Sequence, residues 1–87
     1  MTLAFPNASR SLDGPRHAVR FWGHESQFEY TFYVDLAVLE RLAPHAATDE
    51  ASLLRAFDDN RSLMEAAAVR AHARGRQSFY HLQASAF

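Results

Sequence analysis

The sequence predicts an α+β fold: a small antiparallel β-sheet packed on two helices, in the order β-β-β-α-α-β, with a long second helix. Three observations predict it. Residues 17–34 alternate apolar and polar side chains in two runs separated by Gly23-His24-Glu25-Ser26, the period-two signature of half-buried strands. Leu36, Leu39 and Leu42, and then Leu53, Leu54, Phe57, Met64, Ala67, Ala68 and Ala71, recur at helical spacing,. Finally, Ser78 to Gln83 alternates again close to the end of the chain.

Size limits what this fold has to hold it together. The chain has 87 residues and no cysteine, enough for one domain over residues 1–87 but without a disulfide or a thiolate metal site. A chain of this length buries only about 60–65% of the surface its unfolded state exposes. Seven Phe, three Tyr and one Trp must therefore supply most of the core,, and a partner subunit is the remaining source of burial. The net charge of −1 recruits neither nucleic acid nor membrane,. No apolar run approaches the roughly 18 residues of a membrane span, and the N-terminus lacks a basic region followed by an apolar stretch. A soluble protein of a reducing cytoplasm is expected.

Taken in order, Leu3 and Phe5 ahead of Pro6 read as a short extended segment,. Asp13-Gly14-Pro15 is a turn signal that lets Ser11-Leu12 pair with the chain after Arg16,. In the next strand His17, Val19 and Phe21 point one way, while Ala18, Arg20 and Trp22 point the other,. His24-Glu25-Ser26 is expected as the hairpin loop. Phe28, Tyr30, Phe32 and Val34 then oppose Gln27, Glu29, Thr31 and Tyr33. Trp22 is the awkward residue: it faces away from Phe21, so it covers an edge or marks a contact surface.

Asp35 is placed to cap the short first helix, which must end before Pro44,. Thr48 is expected to cap the second, with Asp49 and Glu50 against its positive end,. Arg70, His72 and Arg74 lie at the far end, and Gly75 is the natural C′ residue,. A helix from Asp49 to Arg74 would extend ~39 Å, whereas a globule of this length is roughly 30 Å across. The helix is thus expected to bend or to project, leaving small Ala67, Ala68 and Ala71 open to a second helix.

Candidate sites are few. Asn60 and Arg61 interrupt the apolar stripe and form a potential recognition pair, the amide for a polar edge and the guanidinium for an anion. The plainer alternative is a boundary asparagine and an Arg61–Glu65 pair at i, i+4, and it is preferred. Arg70, Arg74 and Arg76 make the basic cluster, either a phosphate or nucleic-acid contact or, preferred, a complement to the helix dipole. Arg20-Phe21-Trp22 hints at single-strand stacking, but the core accounts for Phe21. The five histidines form no i, i+4 pair on a helix, so no metal is expected,. No G-x-S-x-G elbow or phosphate-cradling glycine loop occurs,; no catalytic residue and no cofactor are expected.

Leu3-Ala4-Phe5-Pro6, Ala18-Val19-Arg20-Phe21 and Ala56-Phe57-Asp58-Asp59-Asn60-Arg61, with Ala66-Ala67 after them, resemble domain-of-unknown-function family 1488. Phe-x-x-Asn-Arg is the most specific of these elements. The chain departs from the family in ending Ser85-Ala86-Phe87, where members often carry an acidic residue before the final Phe. The resemblance implies a compact α+β fold and a bacterial cytoplasmic setting, and implies no activity, substrate or cofactor. The overlong second helix, the core without a disulfide or metal, and Trp22 together lead to the expectation of a non-enzymatic protein-interaction or accessory module that forms a homodimer, with Trp22, Asn60, Arg61, Arg70, Arg74 and Arg76 as its candidate surface. The alternative is a nucleic-acid or anion binder using the arginines at the end of the long helix.

Overall fold

Alternation in the sequence becomes two long strands joined by a tight turn in the computed structural model, which describes residues 3–87. Strand β1 spans Arg10–Asp13, β2 Ala18–Glu25, β3 Phe28–Asp35 and β4 Phe79–Leu82. Helices α1 (Leu36–Leu42), α2 (Glu50–Asp59) and α3 (Arg61–Ala73) intervene between β3 and β4, and a short 3-10 turn, Ala84–Ala86, follows. The sheet order is β1-β2-β3-β4. Leu12 lies opposite Val19, and Phe21 opposite Phe32, so the expected hairpins form. His17, expected inward, instead falls in the turn before β2 at φ 50°, and Phe28, also expected inward, is 53% exposed at the start of β3. Glu25, expected in the loop, instead extends β2 and pairs with Phe28.

The α+β class holds, and two details of it change. The sheet is mixed, because β4 runs parallel to β3. The chain between β3 and β4 passes through three helices, a connection long enough to bring the next strand back parallel. The long second helix is also two helices. Asn60 leaves helical geometry at φ −116°, ψ 22°. Its Nδ2 donates back to the Ala56 carbonyl at 2.9 Å, and its own carbonyl accepts from Leu63 and Met64 N–H. Asp58 and Asp59 place two negative charges at the negative end of α2, which disfavours continuing the helix. No end projects: Ala67 and Ala68 are buried in the chain's own core, and the radius of gyration is 12.3 Å.

That core stacks Phe21 on Phe32 with ring centroids 5.4 Å apart and tilts Phe57 against Phe21 at 5.1 Å. Val38, Leu39, Met64 and Ala68 cover these rings from the helices. Leu3 and Phe5 close one end, crossing at Gly23, where a Cβ would meet Phe5 at 3.0 Å and Leu3 at 3.1 Å. Ala4 and His24 exchange two backbone hydrogen bonds of 2.8 Å there.

The caps differ from expectation in an instructive way. Asp35 sits at the start of α1 but makes no side-chain cap; its carboxylate pairs with His81 on β4. Asp49, not Thr48, caps α2, accepting from the Ser52 hydroxyl at 2.7 Å and the Ser52 N–H at 3.1 Å. The Ser52 hydroxyl first, and then its N–H, hold the Asp49 carboxyl below its ordinary value of 3.8. With the folded value depressed, the contribution to stability is fully present above the unfolded value and is lost as pH falls through the folded one. Ser52→Ala should therefore raise the Asp49 midpoint toward 3.8 in a carboxyl carbon NMR titration; an unmoved midpoint would contradict the capping assignment.

Candidate interaction surface

The buried residues of all three helices meet one face of the sheet, the face of Val19, Phe21, Phe32, Val34, Tyr80 and Leu82. Alternation sends the intervening side chains to the other side. There the register lays Ser11, Arg20, Tyr33 and His81 in one row and Trp22, Thr31 and Phe79 in the next. Trp22, Tyr33 and Phe79 stand outside the core cluster. Phe79 is 45% exposed, and Trp22 and Tyr33 are half-buried.

Two arginines order these rings. The Arg16 guanidinium, from the β1–β2 turn, lies 4.5 Å from the Tyr33 centroid and 5.3 Å from that of Phe79. Tyr33 and Phe79 themselves meet edge-on at 5.8 Å. Arg20 lies 5.6 Å from the Trp22 ring, and its Nε and Nη2 donate to the Ser11 hydroxyl at 3.2 and 3.1 Å. Such contacts draw a guanidinium to an aromatic face by the attraction of its charge for the ring quadrupole. Acid groups sit at the margin: Asp13 beside Arg16, Glu29 beside His24, and Asp35 beside His81. The face thus carries both signs of charge around an aromatic centre. Aromatic residues and arginine are the types enriched at protein interfaces.

Of the candidate residues read from sequence, Trp22 and Arg20 lie on this face. Asn60 and Arg61 are spent internally, Asn60 on the helix break and Arg61 on the Ala8 carbonyl at 2.6 Å, with Glu65 at 3.4 Å and the Phe57 ring at 5.1 Å. The arginines of the α3 end do not form one cluster. Arg70 donates to the Ala86 carbonyl and Arg76 to Glu25, each at 2.7 Å, while Arg74 is exposed at the end of α3. Arg16, Tyr33 and Phe79 were missed as site residues. Tyr33 was legible as an outward position, but nothing local tells that β4 will bring Phe79 alongside it.

A crystal structure of a protein of unknown function from the DUF1488 family of Shewanella loihica PV-4 superposes with a TM-score of 0.82. It is 19% identical, and the match covers 93% of this chain and 91% of that one; at that identity it speaks for the fold. No curated protein matches the chain. The family model described as "Protein of unknown function (DUF1488)" matches residues 3–83, so the chain belongs to the DUF1488 family, to which no function is assigned.

Proposed function

We propose that the chain is a non-enzymatic protein-interaction module whose open sheet face pairs with the same face of a second copy. The observation that carries this is the aromatic centre of Trp22, Tyr33 and Phe79, outside the core and held by Arg16 and Arg20. A two-fold pairing presents one patch to itself. A patch bearing Arg16 and Arg20 together with Asp13, Glu29 and Asp35 suits that symmetry, because basic groups of one copy can meet acidic groups of the other,.

Area sets the strength. Strands of four, eight, eight and four residues, at ~3.3 Å along and ~4.8 Å between strands, give roughly 400 Å² of projected sheet per copy. Doubled and roughened by side chains, this approaches the ~1,200 Å² lower bound of specific interfaces. A weak, reversible dimer follows from an interface at the low end of the size range. A bacterial cytoplasmic setting belongs to the same proposal, on the strength of the family resemblance. Among the described residues no helix is long and apolar enough to cross a membrane.

Sedimentation velocity between about 5 and 500 micromolar tests the proposal. The wild type should move from monomer to dimer across that range, and Trp22→Ala should weaken the pairing at least tenfold while remaining folded. A monomer throughout overturns it, as does a dimer indifferent to Trp22→Ala. Salt-sensitive retention of a monomeric wild type on a phosphate matrix would favour the anion-binding alternative instead.

A further inference from the structure

Among the described residues Glu25 is the only buried charged side chain, 6% exposed. It lies on the helix side of the sheet, away from the open face. A buried carboxylate is costly unless cations and hydrogen bonds compensate it, and the compensation here is lopsided. Behind Glu25 the wall is fixed. His72 Nε2 faces Oε2 at 3.5 Å, the His72 ring packs 4.5 Å from the Tyr30 ring, and Nδ1 lies 2.8 Å from the Tyr80 hydroxyl. That hydroxyl also donates to the Gly75 carbonyl and accepts from the Gln77 N–H.

In front, among the described residues, one surface arginine closes the site. Arg76 Nη2 donates to Oε1 at 2.7 Å, yet the Arg76 side chain is 64% exposed against 8% for that of Glu25. Arg76 belongs to the irregular stretch between α3 and β4. It follows Gly75 at φ +153°, backbone that glycine adopts freely. It engages one carboxylate oxygen and no second bond to the other. A guanidinium free of that backbone tether could take both oxygens in the parallel two-bond arrangement that carboxylates favour. The cleft leading to Glu25 is walled by Leu3, Val69 and Ala73, which suits an aliphatic stem.

We infer that this cleft is a binding site for a guanidinium-bearing side chain, an arginine of a partner, and that Arg76 occupies its mouth in the free protein. Arg76 then acts as an internal competitor. The inference is independent of the sheet-face pairing, since none of its residues lies on that face.

Nα-acetyl-arginine methylamide, titrated into the full-length Arg76→Ala variant and followed by amide NMR shifts, provides the test. Saturable shifts at Leu3, Glu25, Val69 and Ala73 are expected, with affinity at least tenfold above that of the wild type. The lysine analogue should bind several-fold more weakly. Adding Glu25→Gln to Arg76→Ala should abolish the response. Shifts in Arg76→Ala that are absent, scattered, or equal to those of the wild type overturn the inference, and these readings stand even if the double variant does not fold.

Discussion

Phe21→Ala is expected to destabilise the fold by about 3–5 kcal/mol, the cost of emptying a large aromatic site in a core that only partly collapses. Phe21 is fully buried and touches three other rings, Phe5 at 6.1 Å, Phe32 at 5.4 Å and Phe57 at 5.1 Å. One truncation therefore loosens the N-terminal segment, the central strands and α2 together. A chain of this length has roughly 4–13 kcal/mol of stability in total, so the variant should be substantially unfolded at 37 °C. Urea denaturation measures the shift. Trp22→Ala, one residue along, should cost the monomer less than about 1 kcal/mol, as expected of a side chain outside the core,. Equal losses for the two neighbours would show that the faces of β2 are wrongly assigned.

The faces were legible because strand alternation is a local signal that tertiary packing reinforces. It placed Phe21, Phe32 and Val34 inward and Trp22 and Tyr33 outward, and the register agrees. What local pattern could not supply was the partner of each surface. The direction of β4, and with it the meeting of Phe79 with Tyr33, depends on how three helices cross the sheet. Polar residues after Gly23 resemble a turn, so the local pattern puts Glu25 in a loop; its burial and the hydrogen bond it accepts from Arg76 mark it out. The helix break has a local signal. Asp58-Asp59-Asn60 is a run of weak helix formers,, and it stands where negative charge opposes the dipole. The apolar stripe continues across it, and periodicity alone reads through a short interruption.

That break decides what Ala68 faces, and Ala68→Leu tests it with the second-largest expected effect. A continuous helix would carry Ala67, Ala68 and Ala71 beyond the sheet, where a larger side chain costs little and adds helix propensity. With the chain interrupted at Asn60, α3 lies back over the sheet and beside β4. Ala68 is then fully buried, in a cluster with Phe32, Met64 and Tyr80. Three added carbon atoms would crowd a side chain with no exposed surface, in the cluster that holds Phe32 stacked on Tyr80 at 4.8 Å. Overpacking of this kind costs about 1–3 kcal/mol, and the upper half of that range is expected, since the rings are held by sheet backbone on one side and helix on the other. Ala66→Leu supplies the matched control: Ala66 is exposed on the same helix, and its substitution should stay within about 0.5 kcal/mol. Denaturant midpoints for the pair separate the two geometries, because a projecting helix would leave both variants near neutral, whereas a helix folded back onto the sheet penalises Ala68→Leu alone.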